Sequence, residues 1–131
     1  MWITRESGLG LLALTVLARE GQASTEAIAE RFGLSAPFLR QILGRARRAG
    51  LVEGHPGRKG GYSLSRSAQE ISVAEALAAL GGRPAPVGCL AGEPCPLLEN
   101  CPTRPFWEWL QERIEVWLSQ VTLEELAKGK L

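Results

Sequence analysis

Five of the twenty residues from 83 to 102 are proline: Pro84, Pro86, Pro94, Pro96 and Pro102. Proline has no backbone N–H, and its ring clashes with the preceding helical turn. Neither a long helix nor a central strand can run through such a segment. The chain must therefore build its regular structure before and after an irregular loop. That loop also holds all three cysteines, Cys89, Cys95 and Cys101, in an even C-x5-C-x5-C spacing. A chain of 131 residues can bury a core without covalent staples. An odd number of thiols does not close into disulfide pairs. Clustered thiols of this kind point to metal or redox chemistry.

The run Leu9 to Ala18 is apolar but only ten residues long, and Arg5, Glu6, Arg19 and Glu20 flank it. A bilayer needs about twenty apolar residues. No A-x-A-type cleavage site follows, so the run does not read as a signal peptide. The expected location is cytoplasmic, with no membrane contact.

Before the proline segment the pattern is helical. Residues 5 to about 19 read as a buried helix and "GQAS" as a break. Ser24 caps "TEAIAERF", with Ala27, Ile28, Ala29 and Phe32 as its expected inner face, and Gly33 ends it. Ser35 caps the next helix, and Pro37 sits in its first turn, where a missing N–H costs nothing. Phe38, Leu39, Ile42, Leu43 and Ala46 fall on one face of it. Arg40, Gln41, Gly44, Arg47 and Arg48 fall on the other, and Gly50 closes it. Two short helices joined by "GLS" have the layout of a helix-turn-helix, with the second as the reading element.

"LVEGHPGRKGGYSLSR" follows. "LVEG" and "GYSL" read as two strands of a wing, with Arg58 and Lys59 at its tip placed to meet phosphates or a minor groove. His55, the only histidine, is read as a wing or phosphate contact rather than a metal ligand. The charge is uneven. Residues 1 to 66 carry ten Lys and Arg against five Glu, and residues 67 to 131 carry five against nine. A basic patch on a near-neutral chain marks a surface for a polyanion.

Around the proline segment, Ser72 and Glu75 have the spacing of a capping box before "VAEALAAL", which Gly81 and Gly82 end. Thr103 is expected to cap "RPFWEWLQERIEVWLSQ". Phe106, Leu110, Ile114, Trp117 and Val121 recur there at helical spacing, with Trp107 and Trp109 off that line. Such an aromatic helix exceeds what a small winged domain can cover, so it reads as a dimer helix. Thr122 and Glu125 suggest a second capping box before a short last helix.

The expected fold class is mainly α with a small β wing. Residues 1–82 form a winged helix-turn-helix DNA-binding domain, with the reading helix at about 35–49 and the wing at about 51–65. Residues 83–104 form a Cys/Pro-rich loop. Residues 105–131 form a dimerisation helix and a short C-terminal helix.

"WIT", "ERFGLSAPFLRQILGRARRAGLVEGHPGRKGGYSLSR", "ISVAEALAAL", the cysteine triplet and "WLQERIEVWLSQVTLEEL" stand in the order of a known family. Over nearly the whole chain the sequence resembles the Rrf-two family of bacterial winged helix-turn-helix regulators. It looks most like the IscR-like and NsrR-like members, which sense iron–sulfur status or nitric oxide. The wing motif and the even triplet are the most specific parts. The resemblance implies a nucleoid-associated homodimer, read as a repressor, on double-stranded operator DNA. It implies an iron–sulfur cluster, 2Fe-2S or 4Fe-4S, on Cys89, Cys95 and Cys101, whose state alters DNA affinity. IscR-like members have a histidine three residues after the last cysteine. Arg104 stands there in this chain and stays protonated, so it does not ligate. NsrR-like members use an acidic residue near the partner's N-terminus. Gly8 occupies that position, and Glu6 is the nearest carboxylate, with Glu93 and Glu99 as local alternatives.

The residues themselves agree with a cluster. Thiolates are its usual ligands, whereas structural zinc favours close pairs such as C-x2-C. For base reading the candidates are Ser35, Pro37, Arg40 and Gln41, because arginine can fork onto guanine and glutamine suits adenine. IscR-like members usually carry an acidic residue where Arg40 stands, so the operator should differ from theirs. Arg45, Arg47, Arg48, Arg58 and Lys59 are candidates for phosphates. Rival readings are a regulator of the same fold using a thiol switch or a protein partner, and an iron–sulfur electron carrier. An enzyme is not expected: the chain has no aspartate, one histidine and no G-x-S-x-G element.

Overall fold

Most of the helices begin where a hydroxyl can accept one of the first-turn N–H groups that lack a helical partner. The structure, a computed structural model, describes residues 3–57, 60–82 and 85–130. In it Thr4 opens α1 (Arg5–Glu20), Ser24 opens α2 (Thr25–Phe32) and Ser35 opens α3 (Ala36–Arg48). Ser72 opens α4 (Val73–Ala79) and Thr122 opens α6 (Leu123–Lys128). At α1 the cap is reciprocal: Ser7 N–H donates to Thr4 Oγ1, and Thr4 N–H donates to Ser7 Oγ, both at 3.0 Å. The boxes expected at Ser72 and Thr122 are only half made. Each hydroxyl accepts from the third residue, but the Glu75 carboxylate turns to Arg66 instead.

α5 (Arg104–Gln120) departs from the pattern. Thr103 precedes it but makes no capping hydrogen bond. Its hydroxyl is turned to the Cys101 sulfur, so the expected cap is not there.

α1 is the hub. It packs against α3, α4, α6 and the wing. Leu14 and Leu17 of α1, Ile28 of α2, and Leu39, Leu43 and Ala46 of α3 are buried, with Leu51, Ile71, Leu80 and Leu123. Each such leucine contributes roughly 2 kcal/mol by its removal from water. Two expectations for α2 change. Ala27 and Phe32 face outward, and Thr25 is buried in their place. The helix has two turns, and only the Thr25, Ile28 and Ala29 edge faces the core.

The turn between α2 and α3 needs Gly33, whose φ of 66° lies in the left-handed region. After α3 the chain forms β2 (Val52–His55) and β3 (Gly61–Leu64), antiparallel, with Val52 opposite Leu64 and His55 opposite Gly61. "GQAS", expected to be a plain break, supplies a third strand, β1 (Gln22–Ala23), which pairs with β3. Sheet order is β1-β3-β2. β1 fastens the wing to the end of α1. A two-residue strand has too little sequence to show alternation, which is why the pattern hid it.

The C-terminus returns to the head. Leu123 N–H donates to Ile71 O at 3.0 Å, Val73 N–H donates to Val121 O at 2.8 Å, and α6 lies on α1. Between α4 and α5 the described part of the proline segment, residues 85–102, holds only turns and bends, including a 3-10 turn at Gly88–Ala91. No helix among the described residues is long and apolar enough to cross a membrane.

Candidate nucleic-acid interface and cysteine loop

α3 presents one face to the core and one to solvent. Leu39, Ile42, Leu43 and Ala46 are buried, while Arg40, Gln41, Arg47 and Arg48 are exposed on the opposite side. Phe38, expected on the inner face, is half-buried against the core edge. Ser35 Oγ accepts Phe38 N–H at 3.3 Å, so this hydroxyl is engaged as a cap. Pro37 lies exposed in the first turn.

The arginines are not equivalent. Arg40 Nη2 donates to Glu26 Oε1 at 2.7 Å, across the helix-turn-helix from α3 to α2. This bond holds the Glu26 carboxyl below its ordinary range. Arg45, at the edge of the outer face, pairs with Glu6 of α1 at 3.3 Å. Among the described residues Arg47 and Arg48 have no carboxylate partner. The Arg48 guanidinium lies back over Gly44. That of Arg47 lies over Gly54, beside the Tyr62 ring, on the edge of a cleft of about 450 Å³ between α3 and the wing. His55 and Tyr62 line the same cleft, and His55 Nε2 pairs with Ser63 Oγ across the wing at 2.7 Å. His55 is thus a wing contact. Arg58 and Lys59 lie outside the described residues.

Sequence reasoning missed Glu26, Tyr62 and Thr103. Glu26 was legible only as a first-turn acid. Its partner is fourteen residues away, and no local periodicity links them.

All three cysteines are free and half-buried. Cys101 Sγ lies 3.2 Å from Thr103 Oγ1. A hydroxyl donating to the sulfur favours the thiolate, so the Cys101 thiol is lowered, first by Thr103 and to a lesser degree by Arg104. Arg104, at the position where IscR-like members carry histidine, donates from Nε to Glu108 at 2.7 Å and from Nη1 to Leu98 O at 3.5 Å. It ties the loop to α5. Glu6 is occupied with Arg45, the Glu93 carboxylate folds against Gly88, and Glu99 is exposed.

In kind, the donor set suits iron: three free thiols in one loop. It is not gathered into a cage. Among the described residues no three His, Cys, Asp or Glu side chains lie close enough to hold a metal ion.

α5 carries apolar residues around more of its surface than α4 covers. At about 100° per residue, one edge holds Trp107, Ile114 and Leu118, all half-buried, with α5 packed on α4. Phe106 and Trp117, expected on the inner line, are 51% and 59% exposed, and Trp109 and Val116 are 51% and 43% exposed. The packed edge is therefore rotated from the expected one toward Trp107 and Leu118. The Phe106 and Trp109 rings stack at 6.1 Å, and Arg113 lies over Trp109.

The Rrf2 (Rrf-two) profile, described as an iron-dependent transcriptional regulator, matches residues 3–129. The HTH-type transcriptional regulator IscR of Xenorhabdus nematophila is 36% identical over 120 residues, which cover 92% of this chain and 73% of that protein. IscR of Pectobacterium carotovorum is 34% identical over the same shares. Among solved structures, CymR of B. subtilis, a global cysteine regulator, aligns with a TM-score of 0.81 at 29% identity, covering 100% of this chain and 99% of that one. T. potens IscR aligns at 0.77 with 31% identity, covering 98% and 88%. The oxidized form of Staphylococcus aureus CymR aligns at 0.77 with 30% identity, covering 97% and 96%.

Proposed function

The chain belongs to the Rrf2 family of winged-helix transcriptional regulators, and from that premise we propose a homodimeric repressor whose operator affinity is set by its cysteine loop. Its relatives are regulators rather than enzymes, and so is this chain. DNA contact is assigned to α3 and the wing. Ser35, Pro37, Arg40 and Gln41 are proposed to contact base edges, and Arg45, Arg47, Arg48, Arg58 and Lys59 to contact phosphates. The exposed aromatic edge of α5 supports a second copy as its cover.

The observation that carries the switch is the loop's position. It is the direct chain connection between α4, which packs on α1 of the head, and α5. A change in its shape alters how α5 sits on the head. In a dimer that resets the spacing of the two reading helices, which must match half-sites one helical turn apart.

The cofactor proposed for this loop is an iron–sulfur cluster, which would supply an iron centre reactive to oxidants and nitric oxide. Cys89, Cys95 and Cys101 would hold it, with Glu6 of the partner subunit as a candidate fourth ligand. Because the three thiols are not gathered into a cage among the described residues, holding it would require the loop to rearrange.

A second reading is a metal-free thiol switch at Cys101. The Cys101–Thr103 hydrogen bond and the ungathered donors favour it, and the existence of an oxidized form of the similar S. aureus CymR gives it a parallel.

Anaerobic purification, followed by visible spectrum, iron and sulfide assays and duplex-DNA binding, separates the two. A brown protein with acid-labile sulfide, whose Cys95→Ala variant loses both colour and the DNA response, establishes the cluster reading. A chain still colourless after iron–sulfide reconstitution, whose DNA affinity changes with peroxide, establishes the thiol reading.

A further inference from the structure

The reading helix has one arginine in its first two turns, Arg40, and it is held from outside the helix. Its Nη2 donates to Glu26 Oε1 at 2.7 Å. Both side chains are more than half exposed, at 53% and 65%. An exposed pair of this kind adds little to folding stability. A carboxylate on a surface that meets phosphates also weakens binding to every DNA sequence. Glu26 is therefore costly on this face unless it acts on its partner.

A guanidinium is a planar fork with five N–H donors. One Nη2 hydrogen on Glu26 leaves the other Nη2 hydrogen and both on Nη1 free. Two parallel donors on that edge match guanine O6 and N7. Without the tether Arg40 would sample many rotamers and could reach a neighbouring phosphate on any sequence. With it, the fork is restricted before DNA arrives, and fewer rotamers are lost on binding. The contrast with Arg47 and Arg48 supports a difference of role. They have no carboxylate partner among the described residues and lie along the helix and wing, as phosphate contacts do.

We propose that Glu26 is a specificity-determining positioning residue, which holds Arg40 so that it reads guanine and is kept from the DNA backbone. The inference rests on the assignment of α3 as the DNA-reading helix. It differs from an inhibitory latch, in which Arg40 must leave Glu26 before any DNA binds.

The test is selection from a randomised duplex pool by the full-length wild-type chain, Glu26→Gln and Arg40→Ala, followed by affinities for matched duplexes differing at the selected position. The wild type is expected to select guanine at one position per half-site, and Arg40→Ala to lose that choice. Glu26→Gln should lower the guanine preference by about fivefold or more, within the range of one bidentate base contact. Its affinity for unrelated duplex should hold or rise. Three results overturn the proposal. Glu26→Gln could tighten binding uniformly with the preference unchanged, which identifies a latch. Arg40→Ala could keep the wild-type preference, which removes Arg40 as the reader. The wild type could select no sequence at all, which overturns the DNA-reading assignment itself.

Discussion

Gly10 faces Leu80 across the α1–α4 contact with no room for a side chain. A β-carbon built on Gly10 would lie 2.5 Å from Leu80 Cδ1 and 2.8 Å from Ile42 Cγ2. The absent side chain lets α1 approach α4 and the back of α3 together, so it sets how the reading helix is carried. Gly10→Ala should destabilise the fold by about 1–3 kcal/mol through overpacking. Gly8, two residues earlier on the same helix, has nothing within 4 Å of such a carbon. Gly8→Ala should stabilise by up to about 1 kcal/mol through helix propensity. Paired denaturant melts check both. Equal effects at the two positions would refute the close-packing account.

Much of the head was legible because its signals are local. Ser24, Gly33 and Ser35 bound α2 and α3, and the buried set Leu39, Ile42, Leu43 and Ala46 follows helical periodicity. Glycine and proline likewise marked the wing. What stayed hidden depends on partners distant in sequence. Glu75 could serve its own cap or Arg66, and only the folded chain brings Arg66 near. Along α5 the residues are apolar over about half the circumference, so spacing alone could not say which edge α4 takes. The cysteine triplet was legible as chemistry, but its spacing carries no information about whether the three sulfurs meet.

The Thr103 hydroxyl at 3.2 Å singles out Cys101 among the three thiols. Its lowered thiol leaves more thiolate at neutral pH than an unassisted cysteine would have. In metal-free protein Cys101 should be alkylated faster by iodoacetamide than Cys89 or Cys95. Thr103→Val removes the leading cause of the shift, so the alkylation midpoint should move to higher pH and the rate at neutral pH should fall several-fold. Peptide mapping over a pH series reads this out. Unchanged Cys101 kinetics in the variant would show that the hydroxyl has no effect on the thiol.

The exposed edge of α5 bears on assembly. Phe106, Trp109, Val116 and Trp117 together expose an apolar strip of the kind that marks an interaction surface. Trp109→Glu with Trp117→Glu should convert the proposed dimer to a monomer in sedimentation while the far-ultraviolet spectrum stays unchanged. Binding to a two-half-site operator should fall by more than tenfold, and binding to a single half-site should change little. A wild type that sediments as a monomer at micromolar concentration would remove the dimer from the proposal.

Arg47 and Arg48 stand without carboxylate partners among the described residues, on the exposed side of α3. If each neutralises a phosphate, each alanine variant should reduce the slope of log affinity against log salt by about 0.9. The affinity loss should be similar on cognate and unrelated duplexes. Arg45 gives a contrast, because part of its charge is already offset by Glu6 at 3.3 Å. Arg45→Ala should therefore change the slope less than Arg47→Ala or Arg48→Ala. A salt slope unchanged in all of the arginine variants would place the DNA on another surface.

The Glu26–Arg40 pair has a pH signature independent of any DNA. Glu26 is held below the ordinary carboxylate range, chiefly by the Arg40 hydrogen bond and then by its own backbone N–H. A carboxyl lowered in the folded state favours folding at pH values above its unfolded value, and that contribution is lost as pH falls through the lowered folded value. The pair should therefore stay intact at neutral pH and break only in acid, below the usual carboxylate midpoint of about 4.3. In a side-chain carboxyl titration followed by NMR, Glu26 should show a midpoint below the ordinary carboxylate range. Arg40→Ala should move it most of the way back, with the backbone N–H accounting for the remainder, while Arg40→Lys should restore part of the lowering without the fork geometry. Between pH 6 and 8 Glu26 does not titrate, so the Glu26–Arg40 pair gives operator choice no pH dependence in that interval. A Glu26 midpoint that Arg40→Ala leaves unmoved would mean that the pair does not persist in solution.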